Sequence, residues 1–241
     1  MIVCAKSHVG LIRDHNEDSF FVSEGGDLLI VADGMGGHKA GEVASKLAID
    51  TIVKTREENS ATGPLAEPAA WVEKANRVVF QKALSDIALN GMGTTVTLGH
   101  IVGNKLTIAH VGDSRAYLFS AGELFQKTRD HTYVEEMVRH NIMSRQAAKN
   151  HPRRNIITRA VGAENTVEVD TIEAELSDGD IILLCSDGLT GHVPDEVILS
   201  ILKSDRTFEA QANELIECAL DGGGSDNITI VLAQWKAGEA S

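Results

Sequence analysis

The 241-residue sequence predicts an α+β fold in which sheets are stacked between layers of helices. Three observations predict it. Strand-like stretches come in runs, helical stretches come in pairs, and the two never alternate in the regular βαβ rhythm of a parallel sheet. No internal repeat, low-complexity tract or proline-rich linker divides the chain, which has only 4 prolines. A single domain over 1–236 with a short tail at 237–241 is therefore the simpler organisation.

Strands open the chain at 2–9, 19–22 and 28–32, the last reading LLIVA before Asp33 and Gly34. From Gly41 the apolar residues Val43, Leu47, Ile49, Ile52 and Val53 recur at helical spacing. A polar, turn-rich stretch at 57–68 separates this helix from a second over 71–89. That helix gathers Val72, Ala75, Val79, Ala83 and Ile87 on one face. The runs 94–102, 105–111 and 115–120 are β-branched or aromatic, and the short Gly turns between them predict antiparallel hairpins. Residues 132–150 return to a polar helical pattern. Strands at 166–175 and 180–185, helices at 195–203 and 207–220 and a strand at 228–235 complete the chain.

Composition narrows the function. With 22 Lys+Arg against 35 Asp+Glu the net charge is −13, which repels phosphate backbones and disfavours a general binder of nucleic acid or anionic membrane. No apolar run approaches the roughly 18 residues of a membrane span, and the first ten residues lack the pattern of a secretory signal. Three widely spaced cysteines, Cys4, Cys185 and Cys218, fit a reducing cytoplasm rather than a disulfide framework. A free cytoplasmic monomer is the default.

Aspartates carry the chemical signal. Asp33 ends LLIVAD, Asp113 follows LTIAHVG, Asp187 ends IILLCSD, and Asp226 precedes NITIVLA. A lone Asp-Gly is usually a turn. Four aspartates at the ends of the most apolar strands are a different matter: if those ends meet, the carboxylates repel unless a proton or a cation intervenes. Oxygen ligands without Cys or His at metal spacing select Mg²⁺ or Mn²⁺ over zinc. Two further stretches are weak alone. The glycine-rich loop DGMGGH before a helix suits close ligand approach but lacks a Walker lysine or a GxGxxG pattern, which counts against a nucleotide-binding enzyme. Arg13, beside Asn16, Glu17 and Asp18, offers a guanidinium for bidentate phosphate capture.

In this order the motifs GLIRDHNED, VADGMGGH with a following GE, MGTTVT, HVGDSRAY, DHT, LLCSDGLT and GGSDNITIV resemble the metal-dependent Ser/Thr protein phosphatases of the type 2C (PPM) family. The resemblance runs from about Val9 to Trp235, and its DGMGGH form is similar to the bacterial branch. It implies a four-layer α-β-β-α sandwich of two mostly antiparallel sheets flanked by helix pairs. It also implies a centre of two Mn²⁺ or Mg²⁺ ions. Asp33 would bridge both ions, the Gly34 carbonyl would join one, and Asp187 and Asp226 would complete the other. Asp113 would share a third, weaker ion with Asp187. Arg13 would bind phosphate, with Glu17 and Asp18 in water-mediated contacts behind.

The activity implied is hydrolysis of phosphoserine and phosphothreonine by a metal-bridged hydroxide, opposing a bacterial Ser/Thr kinase on its phosphoprotein targets. Where the eukaryotic loop places a histidine proposed as general acid, this sequence has Met35. His38, three residues on, or a water would then protonate the leaving oxygen. The resemblance makes 130–159 a flap beside the active site, and its Arg153-Arg154 pair reads equally as a patch for phosphopeptides or as solvated helix surface. His110 and Cys185 read as core. A catalytically dead binding module is the rival from another class, and the presence of all four aspartates argues against it.

Overall fold

The computed structural model describes residues 1–36, 40–62 and 67–238, with the backbone alone at 59–62. In chain order the elements are β1 (Ile2–His8), β2 (Asp18–Val22), β3 (Leu28–Met35), α1 (Ala40–Thr62), α2 (Pro68–Ser85), β4 (Gly93–Thr94), β5 (Val96–Val102), β6 (Lys105–Val111), β7 (Arg115–Ser120) and β8 (Glu123–Gln126). Next come α3 (Tyr133–Arg139), α4 (Arg145–Lys149), β9 (Asp170–Glu175), β10 (Ile181–Cys185), α5 (Asp187–Thr190), α6 (Asp195–Leu202), α7 (Phe208–Asp221) and β11 (Ile228–Gln234). One sheet has the order β1-β11-β10-β7-β8; the other runs β2-β3-β5-β6-β9, with β4 paired to β3. All pairings between these strands are antiparallel.

The layering follows from the period-two alternation of a strand. Leu29 and Val31 of β3 point at Ile182 and Leu184 of β10 and Val231 of β11, filling the space between the sheets. Their neighbours Leu28, Ile30 and Ala32 face outward, under Ala44, Ala48 and Ile52 of α1 and Trp71, Val72 and Val79 of α2. On the far side Leu183, Cys185, Ile230 and Leu232 lie under Ile198 of α6 and Leu215 of α7. These strands read as continuous apolar runs because both of their faces are covered. The α-β-β-α sandwich expected from the sequence is present.

Several elements differ from the sequence pattern. Helix α2 stops at Ser85, where Asp86 is extended and its side chain caps a short 3₁₀ turn by accepting from Ala88 N. Ile87 is consequently 94% exposed, not on the buried face. Strand β3 runs past Asp33 because β4 pairs with Gly34 and Met35. The strand expected at 166–175 is confined to β9, and β8 and α5 are additional. The largest difference is at Gly112-Asp113. Instead of closing a hairpin, these residues carry the chain from β6 in one sheet to β7 in the other.

Leu184 is fully buried between the sheets, whereas Leu84 on α2 is 68% exposed. Leu184→Ala should cost about 2–5 kcal/mol of stability in urea unfolding. Leu84→Ala should stay within about 0.5 kcal/mol, as surface substitutions usually do.

Candidate active site

Strand register brings the aspartates together. In one sheet Cys185 pairs with Ile230 on one side and with Arg115 on the other. The residues just beyond those pairs, Asp226, Asp187 and Asp113, therefore emerge from three adjacent strands at the same end of the sheet. In the facing sheet Asp18 is the register partner of Asp33. Both sheets thus deliver carboxylates to one edge of the sandwich.

A hydroxyl scaffold fixes this edge. Asp33 N donates to Thr95 Oγ1 at 2.9 Å, while Thr94 Oγ1 and Thr95 N donate to the Asp33 carbonyl at 2.9 and 2.8 Å. Thr95 Oγ1 is also 2.7 Å from Ser114 Oγ, beside Asp113, so the MGTTVT and GDSR motifs lock together across the sheets. The DHT motif holds the same loop from behind: Gly112 N donates to His131 Nδ1 at 3.0 Å and His131 N donates to Gly112 O at 2.7 Å. Arg115 forks onto Asp130 with bonds of 2.8 and 2.7 Å. His110 is fully buried between Thr97 Oγ1 and the Arg129 carbonyl, and burial pushes its pKa down to about 4.

Asn227 performs the matching role beside Asp226. Its Oδ1 accepts from Glu17 N at 2.7 Å, and its Nδ2 donates to the carbonyls of Val9 and His15 at 2.9 and 3.0 Å. The N-terminal arm carrying Arg13 is thereby tied to β11. Ser186 Oγ donates to Asp18 Oδ2 at 2.7 Å and accepts from Thr229 N at 2.9 Å. Neither Asn227 nor Ser186 was singled out as a site residue in the sequence, although each is the chain neighbour of an aspartate that was. At Gly188 an added Cβ would stand 1.9 Å from the Asn227 carbonyl, so only glycine lets α5 lie this close to β11. Gly34 is equally confined, its missing Cβ lying 2.2 Å from the Gly41 carbonyl in the first turn of α1.

The electrostatics of the cluster are those of like charges forced together. Burial first, and then the charge of Asp18, pushes Asp33 well above the ordinary carboxylate range. Asp113 is pushed the same way, by burial and then by Asp187. Burial raises Asp18 to about 7, against the pull of the Thr229 and Ser186 hydroxyls, and raises Asp187 to about 6 with Asp226 as the next contributor. Four carboxylate oxygens here, on Glu17, Asp18, Asp113 and Asp187, are sealed from solvent with no hydrogen-bond partner. Orphaned buried anionic oxygens are costly unless a cation or proton meets them. The donors are oxygen alone, which suits a hard divalent cation. Among the described residues no group of three or more His, Cys, Asp or Glu side chains is by itself arranged to hold a metal ion. A site of this kind would draw on backbone carbonyl and water oxygens as well, so the donor set fits.

Arg13 stands at the rim, its side chain about half exposed, with Nη2 donating to Asp226 Oδ2 at 2.8 Å. His38 lies outside the described residues. A cavity of about 590 Å³ opens over Asp113, Asp187 and Asp226 and is bounded on its far wall by residues of the 130–159 segment. That segment leaves and rejoins the body at one place, where Thr132 bridges Ile157 and Thr158 N donates to His131 O at 2.8 Å.

Residues 11–232 match the family model described as protein phosphatase 2C. The chain belongs to that family. It is a serine/threonine phosphatase of the 2C type, in agreement with the resemblance read from its motifs. A serine/threonine phosphatase of Listeria innocua is 43% identical over 232 residues, covering 93% of this chain and 92% of the relative. The crystal structure of the Mycobacterium tuberculosis serine/threonine phosphatase PstP/Ppp superposes with a TM-score of 0.90 at 41% identity, over 98% of each chain. The catalytic domain of PstP in complex with two manganese ions gives a TM-score of 0.84 at 38% identity, over 97% of each chain. Among the described residues no helix of this 2C phosphatase is long and apolar enough to cross a membrane.

The raised carboxyls set a pH dependence for the metal-free protein. A native pKa above the unfolded value means that the folded state holds its proton more tightly. Stability is then lost as the pH climbs from about 4, where the unfolded chain ionises, to about 7, where Asp18 does. Asp18→Asn cannot ionise. In EDTA it should gain on wild type by a few kcal/mol, to order of magnitude, between pH 5 and pH 8 in urea titrations. Manganese should raise the wild-type melting temperature more at pH 8 than at pH 5.

Proposed function

We propose that the acidic edge is a two-cation catalytic centre that hydrolyses phosphoserine and phosphothreonine in proteins. The observation that carries this reading is the set of partnerless, buried carboxylate oxygens at one strand edge with Arg13 beside them. Asp33, the Gly34 carbonyl, Asp187 and Asp226 would hold two Mn²⁺ or Mg²⁺ ions, and Asp113 with Asp187 a third, weaker one. Glu17 and Asp18 would act behind them through water. Bound divalent cations supply positive charge that activates water towards hydroxide at neutral pH and offsets the negative charge of the phosphoryl group.

The chain's own residues do the rest. Arg13 has one of its five donors on Asp226, so the remaining fork can take two phosphate oxygens and aim the ester for in-line attack. Its tie to Asp226 sets the distance between the anchored phosphate and the acidic centre. Asp18, held by Ser186 and paired in register with Asp33, stays outside the cavity lining. The serine or threonine alkoxide is a poor leaving group, and His38 is the candidate to give it a proton. The physiological counterpart would be a bacterial Ser/Thr kinase with its phosphoprotein targets. Free thiols at Cys4, Cys185 and Cys218 support a cytoplasmic setting, and a monomer is the assumed state.

The test is turnover of p-nitrophenyl phosphate and of a phosphothreonine peptide, in Mn²⁺ and in EDTA. Both activities should require Mn²⁺ and fall at least about a thousandfold in Asp187→Ala, the scale of losing several kcal/mol of electrostatic stabilisation. Wild type that ignores EDTA would sink the reading. His38→Ala should lower kcat on the peptide by about 10²-fold or more and spare p-nitrophenyl phosphate, whose leaving group needs no proton. Equal effects on both substrates would give the proton to water.

A further inference from the structure

The cavity over the acidic centre is lined by charges of both signs. Its lining includes Asp113, Asp187 and Asp226 of the acidic edge together with Arg145, Lys149 and Arg154 of the 130–159 segment. Arg145 and Lys149 begin and end α4, four residues apart, and so share a helix face. Arg154 joins them after a turn in which its N–H donates to the His151 carbonyl at 3.1 Å. Its neighbour Arg153 is directed elsewhere, with its guanidinium carbon 5.7 Å from the Tyr133 ring centre, and does not line the cavity.

Other acids of the lining are largely engaged. Glu135 sits between Arg129 and Arg145, Asp130 takes Arg115, and Asp195 accepts from Tyr117 Oη at 3.0 Å. Glu196 has neither an ion pair nor a side-chain hydrogen bond among the described residues. Lys149 and Arg154 also have no ion-pair partner among the described residues, and both are exposed. In a chain of net charge −13, two free cations and a third half-engaged one line the same cavity as Asp113, Asp187 and Asp226 and offer an anionic group local partners.

We infer that Lys149 and Arg154, with Arg145 beside them, form a subsite for a second anionic group on the substrate. The preferred substrate is then a phosphopeptide with another negative charge near the phosphoserine or phosphothreonine being cleaved. A planar guanidinium and a mobile ammonium together suit either a carboxylate or a phosphate. The inference rests on the phosphatase reading above and deepens it from a reaction to a substrate class.

Three phosphothreonine peptides test it: one with neutral flanks, one with flanking aspartates and one with a second phosphothreonine. Wild type should favour the two anionic peptides over the neutral one by about tenfold in kcat/KM, mainly through KM, and salt should erode that preference. The double variant Lys149→Glu/Arg154→Glu should abolish or invert it and leave kcat on p-nitrophenyl phosphate unchanged. A gain from both anionic peptides identifies charge alone as the recognised feature, and a gain confined to the doubly phosphorylated peptide identifies phosphate. If wild type and variant rank the three peptides alike while both hydrolyse p-nitrophenyl phosphate, the subsite is overturned. Failure of wild type to hydrolyse p-nitrophenyl phosphate in Mn²⁺ overturns the phosphatase reading itself.

Discussion

Mutual repulsion among Asp18, Asp33, Asp113, Asp187 and Asp226 is the constraint around which the rest of the structure is arranged. Burial raises the energy of the Asp18, Asp33, Asp113 and Asp187 carboxylates and the neighbouring charges raise it further, so the cluster would splay if its strands were free to move. They are not free. The acids lie in or close to β2, β3, β7, β10 and β11, and the two sheets share the inter-sheet core through Val31, Ile182, Leu184 and Val231. Hydrophobic burial over the whole sandwich holds together a small region that opposes assembly. Such local conflict inside an otherwise consistent fold is the usual mark of a functional site.

Holding the strands is not sufficient, because the acids must also be aimed. Here the structure gives roles to motif residues that carry no catalytic charge. Thr94 and Thr95 grip Asp33 by its backbone, Ser114 links that grip to Asp113, and His131 holds the crossing at Gly112 from the other side. Asn227 ties the arm of Arg13 to the strand of Asp226. Most of these bonds go to a neighbour's backbone or hydroxyl; Ser186 Oγ on Asp18 Oδ2 and Asn227 N on Asp226 Oδ1 engage only one oxygen of each carboxylate. The partnerless oxygens of Glu17, Asp18, Asp113 and Asp187 result from that division of labour.

Much of this was legible in the sequence because apolar runs and turn residues report on a strand directly. The four strand-end aspartates could be picked out without any structure, and their register brings them to one edge. What escaped had a physical reason in each case. A Gly-Asp pair between two strands reads as a hairpin from local chemistry, and only packing decides that β6 and β7 enter different sheets. Ile87 keeps helical spacing, but the extended Asp86 ends the helix before it. The segment 132–150 looked like one polar helical stretch. It is two short helices separated at Asn141, whose φ of 56° interrupts the helix. Asn227 and Ser186 were hidden because a scaffold residue shows itself through partners distant in the chain, Val9 and Asp18, which spacing does not reveal.

The 130–159 segment is pinched at its root, where Thr132 meets Ile157 and the neighbouring backbone bonds close the neck. The entropy of closing a loop grows only with the logarithm of its length, so a pinched insert can lengthen, shorten or change composition at little cost to the frame that carries it. The neck is fastened to the GDSR crossing by His131 and Arg115, whereas the cationic face of α4 belongs to the interchangeable part. In evolutionary terms the molecule is modular within one domain. Its acidic edge is built into the sandwich, while the cationic face of α4 sits on an insert whose length and composition are only weakly coupled to that frame.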